Sequence, residues 1–269
     1  MRIRWAGVAL AAVLIAACGE SSAPTGVATN PIDRGAPGTA VASPSGGTSG
    51  VRTVLSPLGL NIRSGPGTTN AAVGTAAQGA VLSVLDHSDQ NGGWYKVQGQ
   101  TVTGWITSDP SLSAAGQFTL YQSSDRGFTA LYPQDWTFGE EPADVVFHPV
   151  AGAQTIVVRG AAHVTDFGAE GGQGFGGSGQ ETVVVCGVTA DLLEYVRGGT
   201  APPTPAPGTA GPLVQLAQIR LRVDSGHALA LDFNYAVPAD LVIFRDFFNS
   251  MTIQSPQCKQ APSPAPSPT

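Results

Sequence analysis

From residue 51 onward the chain alternates short apolar runs with turns rich in Gly, Pro, Asn and Asp. Apolar runs at 54–55, 60–63, 73–74, 80–85, 94–97 and 104–106 are spaced like the strands of a small barrel. A second series starts at Phe118. Residues 118–121 and 128–133 flank Ser123-Ser124-Asp125-Arg126-Gly127 as a hairpin, and Pro133 ends its second strand. Residues 145–148 and 155–158 flank a Pro/Gly turn, and residues 214–223 and 228–235 flank Asp224-Ser225-Gly226, a further hairpin signal. The β-branched run 181–185 reads as a strand, while 190–196 fits either a strand or a short helix. After Pro238 the period changes. Leu241, Phe244, Phe247, Phe248 and Met251 fall near helical spacing over residues 240–251, with Arg245, Asp246 and Asn249 opposite. This predicts an amphipathic helix whose aromatic stripe is core. The expected architecture is two domains: a small all-β barrel at 51–112, then an α+β domain at 117–256, a mostly antiparallel sheet with a C-terminal helix.

The ends do not follow either pattern. Met1, Arg2, Ile3 and Arg4 precede an apolar stretch of thirteen residues, 5–17, and then Cys18. That order is a charged region, an apolar region and a cleavage site, and thirteen residues are too few to span a bilayer core, which takes roughly 20. The boundary Ile15-Ala16-Ala17-Cys18 resembles the lipobox of bacterial lipoproteins. The resemblance implies removal of residues 1–17 and lipidation of Cys18, hence a chain anchored by lipid on the extracytoplasmic face of the cell membrane. Residues 19–50 are rich in Gly, Ser, Thr, Ala and Pro with almost no bulky apolar side chain, so this segment cannot offset its ordering entropy and reads as a tether. Its average reach is roughly 30 Å. Residues 259–269 read as an extended Pro-rich tail.

Charge narrows the partners. Lys and Arg number 13 against 19 Asp and Glu in 269 residues, so a broadly basic surface for nucleic acid is absent. An acidic body is not drawn to anionic lipid, which leaves the lipid at Cys18 as the membrane anchor. With Cys18 lipidated, Cys186 and Cys258 remain in an oxidising compartment, and a bridge between them is the expectation.

The barrel segment carries an ordered set of motifs: Leu60-Asn61-Ile62-Arg63-Ser64-Gly65-Pro66-Gly67, then Val73-Gly74, Gly79-Ala80-Val81-Leu82, Gly92-Gly93-Trp94-Tyr95-Lys96-Val97 and Gly104-Trp105-Ile106. Together they closely resemble the bacterial SH3-like (SH3b) domain. The resemblance implies a binding module of the cell envelope, for peptidoglycan or peptide ligands. Arg63, Trp94, Tyr95 and Trp105 are the candidate ligand-binding residues. For the two Trp side chains core packing is the competing account, whereas Tyr95 is expected at the surface because it alternates with a buried-looking neighbour. Further on, residues 126–136, ending Tyr132-Pro133-Gln134-Asp135-Trp136, and the closing stretch 244–253 are similar to PsbP-like domains. That likeness implies an extracytoplasmic scaffold or binding domain.

Signals for catalysis are sparse. His87, His148, His163 and His227 lie in no GxSxG, HExxH or Cys/His signature. Glu140-Glu141 with Asp144 reads as a solvated loop, and the segments 86–91 and 98–100 as polar hairpin loops. His87 with Asp89 offers too few ligands for a metal, and the spacing of His148, His163 and Asp166 gives no support for one. The Gly-rich run 168–179 lacks the GK[ST] of a phosphate loop and reads as a disordered loop, and 202–212 as a surface excursion. The expectation is a non-enzymatic envelope lipoprotein without a cofactor, its partners the membrane and the cell wall or an envelope protein. The alternatives are a scaffold or accessory subunit that binds a protein through the C-terminal domain, and an envelope hydrolase.

Overall fold

The computed structural model describes residues 50–168, 175–197, 215–255 and 258. Cys18, the apolar stretch 1–17, residues 18–49 of the tether, the tail and the Pro-rich stretch 202–212 lie outside the described residues. Seven short strands come first: β1 (Gly50–Val54), β2 (Leu60–Arg63), β3 (Ala72–Ala76), β4 (Val81–Ser88), β5 (Trp94–Gln98), β6 (Thr103–Thr107) and β7 (Ser113–Ala115). They form one antiparallel sheet in the order β3-β2-β6-β5-β4-β1-β7. Its outer edges, β3 and β7, are not paired with one another, so the described ladders leave the expected barrel open. Val54, Leu60, Ile62, Leu82, Val97 and Ile106 fill the core of this sheet. Gly104 is required where β2 crosses β6, because a Cβ there would lie 2.5 Å from the Arg63 carbonyl oxygen and 2.6 Å from Ile62.

Two further sheets follow. A three-stranded sheet runs β17-β9-β8, from β8 (Phe118–Ser123), β9 (Phe128–Pro133) and the two-residue β17 (Thr252–Ile253). A seven-stranded antiparallel sheet runs β10-β11-β12-β16-β15-β14-β13. Its strands are β10 (Trp136–Glu140), β11 (Asp144–Pro149), β12 (Thr155–Ala161), β13 (Phe175–Val185), β14 (Val188–Arg197), β15 (Gln215–Arg222) and β16 (Ala228–Tyr235). The one α-helix among the described residues, α1 (Leu241–Asn249), lays Phe244, Phe247 and Phe248 on the large sheet. Phe247 meets Phe147 with ring centres 5.0 Å apart and Phe244 stacks on Phe233 at 5.4 Å. Full burial of each such ring contributes roughly 1.5–3 kcal/mol. On the other face of this sheet Asp232, 6% exposed, accepts from Arg159, from Arg220 at 3.1 Å and from Gln218 at 2.9 Å.

Several expectations need adjusting. The ambiguous run 190–196 is strand, inside β14. The Gly-rich run is not wholly a loop. Residues 175–179 belong to β13, with 175–177 and 179 paired to β14, because glycine keeps the N–H and C=O a ladder needs, and Ser178 is the extra residue of a bulge at Gly177/Gly179. Residues 169–174 lie outside the described set. Asp86, His87 and Ser88 extend β4 rather than form a loop, paired with Lys96, Tyr95 and Trp94. The helix is shorter than 240–251.

Cys186 and Cys258 are joined by a disulfide. Cys186 (φ 48°) and Gly187 (φ 80°) make the two-residue turn between β13 and β14, so the bond ties that hairpin tip to the segment after β17. The first sheet meets the rest of the protein through a small apolar cluster of Leu55, Ala114 and Leu131, with Phe118 beside it. Polar contacts flank the cluster. Gln78 Nε2 donates to the carbonyl oxygens of Leu55 (3.0 Å) and Ser250 (2.6 Å), and the Leu131 N–H donates to Ser250 Oγ at 2.8 Å. Asp246 is buried on α1, 8% exposed. Burial pushes its carboxyl up to about 7, and the charge of Arg52 on β1 only partly opposes this.

Two outcomes follow from these contacts. Replacing Cys186 and Cys258 by Ser is expected to lower stability by up to about 4 kcal/mol, the chain entropy of the loop the bond closes. Urea unfolding checks this, and an unchanged midpoint, together with two free thiols in the unreduced wild type, would contradict it. Asp246 has its carboxyl raised above the 3.8 of an ordinary aspartate, so the folded state binds the proton more tightly than the unfolded chain. The stability linked to that proton is complete below about pH 4 and is lost as pH rises toward about 7, with a slope of at most about 1.4 kcal/mol per pH unit. Glu181, held below its usual 4.5 by Arg245, acts in the opposite sense and only at lower pH. Urea midpoints between about pH 5 and pH 7.5 should therefore fall in the wild type and flatten in Asp246→Asn; equal slopes in both proteins would refute the assignment.

Candidate functional site

Strand register decides which candidate side chains can act together. Trp94 pairs with Thr107 and Lys96 with Trp105 across β5 and β6, while Arg63 of β2 pairs with Trp105. Because paired residues project to the same side and alternate along each strand, Asn61, Arg63, Trp94, Lys96, Trp105 and Thr107 share one face. Tyr95, Val97 and Ile106 share the opposite face, toward the core. Tyr95 is half-buried, more exposed than its neighbour Trp94, and lies on the side of the sheet that carries Val97 and Ile106. Its ring packs partly buried against the core, with the Arg52 guanidinium 4.4 Å from the ring centre and the His87 ring at 5.0 Å. Trp105 stays half-buried on the outer face.

Arg63, Trp94 and Thr107 line a cleft of about 770 Å³, within the roughly 300–1,000 Å³ typical of small-ligand sites. Trp94 is 4% exposed and its Nε1 donates to the Asn91 carbonyl at 3.2 Å, so the ring forms a fixed floor. Trp94 is packed, as the core account expects, and it also lines the cleft. Arg63 Nη1 donates to the Asn70 carbonyl at 2.7 Å. That bond holds the Ser64-Gly65-Pro66-Gly67 loop, which Asn70 and Asn91 also grip by donating to the Pro66 carbonyl, each at 3.1 Å. Beyond this one bond, no described partner takes the other donors of Arg63.

Other residues of the cleft carried no signal in the sequence. Asp109 lines it, with Oδ1 accepting from both Ser111 N–H (2.9 Å) and Ser111 Oγ (2.7 Å). Leu58, 62% exposed, stands on the same side. The opposite wall comes from the second half of the chain: Val184, Cys186 and Gly187 at the β13–β14 turn, Asn249 and Met251 at the end of α1, and Cys258. No local pattern relates residues near 60 to residues near 185 and 250.

A second concavity, about 610 Å³, lies where the β8–β9 and β15–β16 turns approach. Asp224 and His227 line it, His227 Nδ1 lying 3.0 Å from each carboxylate oxygen. The Gly226 N–H and His227 together hold the Asp224 carboxyl below its usual range. Among the described residues no three His, Cys, Asp or Glu side chains gather as a metal site. His87 reaches Asp89 at 3.5 Å, and the His163 N–H donates to Asp166 at 2.8 Å. Glu140 accepts from the Tyr121 hydroxyl at 2.8 Å.

Comparison with known proteins adds three findings. A stretch of 67 residues is 34% identical to a putative N-acetylmuramoyl-L-alanine amidase, YrvJ, of Bacillus subtilis (strain 168), and takes in 25% of this chain but only 12% of the amidase. The solution structure of cyanobacterial PsbP (CyanoP) from Synechocystis sp. PCC 6803 is similar with a TM-score of 0.36 and 16% identity, covering 51% of this chain and 92% of that one. Residues 58–110 match the bacterial SH3 domain, and this is the segment that supplies Arg63, Trp94, Trp105 and Asp109.

Proposed function

We propose that the protein is a non-enzymatic lipoprotein of the cell envelope whose SH3b domain binds the cell wall, through peptidoglycan or a peptide within it. The observation that carries this reading is the bacterial SH3 domain at residues 58–110, whose outer face borders a cleft of ligand size. In this reading the open sheet acts as an SH3-like barrel spanning 51–112, the second domain spans 117–256, and residues 18–50 tether both to lipid on Cys18. The lipobox-like Ile15-Ala16-Ala17-Cys18 supports the anchor, and the chain sits on the extracytoplasmic face of the membrane. The disulfide between Cys186 and Cys258 suits an oxidising compartment. The resemblance to an amidase enters through a minor part of that protein and supports a wall-directed module rather than hydrolysis.

Two measurements test this. Soluble protein comprising residues 19–269 should pellet with purified sacculi and be released by an excess of soluble peptidoglycan fragments; retention no greater than that of an unrelated acidic protein would overturn the reading. In cells, Cys18→Ala should move the protein from the membrane fraction to the soluble extracytoplasmic fraction, and unchanged membrane association would refute the lipid anchor.

A further inference from the structure

The SH3b face forms only one side of the 770 Å³ cleft. We propose that the ligand site is composite, with the second half of the chain supplying its far wall, and that its occupant is a short extended peptide with a free ammonium and a free carboxylate. This proposal rests on the wall-binding reading and names the ligand class and the second wall of that same site.

Three observations carry it. The first is charge. Arg63 spends one donor on the Asn70 carbonyl, and Asp109 uses Oδ1 on Ser111, so a guanidinium and a carboxylate in the same cleft each retain bonding capacity with no partner among the described residues. A zwitterionic peptide meets both groups. A neutral sugar chain offers neither group a partner of opposite charge.

The second is the state of the aromatic residues. Trp94 is too buried to open a ring face for stacking a sugar, and Trp105 does not line the cleft. The third is the pair of apolar rims. Leu58 on the first side and Val184 on the β13–β14 hairpin are 62% and 57% exposed, although both line the cleft. They offer small apolar contacts to the sides of an extended backbone. The hairpin that presents Val184 is fixed by the disulfide at its tip, so the far wall is a pre-set surface, which lowers the ordering cost of binding.

The test uses soluble protein comprising residues 19–269 and isothermal titration calorimetry. The probes are a peptidoglycan stem pentapeptide with free ends, the same peptide N-acetylated and C-amidated, and glycan strands stripped of peptide. The expected result is binding of the free-ended peptide, with roughly tenfold loss for the capped peptide and no binding of the glycan. Asp109→Asn keeps the acceptor for Ser111 and removes the charge, and Val184→Glu alters only an exposed rim of the far wall. Each should weaken the free-ended peptide by roughly fivefold or more with an unchanged melting temperature.

If Val184→Glu folds and binds as the wild type does while Asp109→Asn is weakened, the composite site is wrong and the SH3b face acts alone. Glycan binding, or equal affinity for capped and free peptides, overturns the ligand class. Should no probe bind, the proposal fails, and sacculus pelleting of the same preparation then separates the two ideas: retention leaves the wall-binding reading standing, and its absence removes both.

Discussion

The junction between the two halves turns on one backbone group, the N–H of Leu131. Leu131 is 1% exposed and lies on β9, which β17 pairs only at Phe128 and Thr129. On that edge of β9 no strand reaches Leu131 to accept the hydrogen bond, because Ser250 is still in a helical conformation at the end of α1. A buried N–H without a partner costs about 1–3 kcal/mol. The Ser250 hydroxyl accepts it and donates in turn to the Phe247 carbonyl at 2.7 Å, so the strand and the helix end are locked to one another. The Ser250 carbonyl is then free to accept from Gln78 of the first half. One serine thereby joins the helix, the small sheet and the SH3b segment.

The cleft is a product of that junction. Leu131 packs with Leu55 and Ala114 on one side of β9, while Phe128, Ala130 and Tyr132 enter the larger core on the other. A strand buried on both faces leaves little freedom for the halves to separate, and it sets the end of α1 and the β13–β14 tip opposite the outer face of β2, β5 and β6. The disulfide holds the same tip from behind. The cleft and fold stability therefore draw on the same few contacts, in a region that also holds the buried Asp246 carboxyl and the half-buried Arg52 guanidinium.

Much of the local structure was legible in the residues. The strands of the SH3b segment, the hairpins around Gly127 and Gly226 and the aromatic stripe of the closing helix follow from period, turn chemistry and helical spacing, each a property of neighbours in the chain. The misreadings came where a local rule met a tertiary demand. Tyr95 alternates with Trp94, which is the buried one of the two, but is itself only half-exposed because Val97 sets the phase of β5 against the core. The glycines at 176, 177 and 179 carry no strand signal of their own and are strand because β14 offers them a ladder.

By itself the sequence determined the SH3b segment, the candidate pair of bridging cysteines, the acidic balance and the apolar run ahead of Cys18, since these are written in contiguous residues or in counts. Only the tertiary structure decided that Arg63 and Asp109 share a cleft, that Trp94 is its floor rather than an open platform, and that Val184, Cys186 and Met251 close its far side. Those residues lie up to about two hundred positions apart, and proximity over such separations is created by packing around Leu131 and Ser250, which no local pattern of side chains encodes.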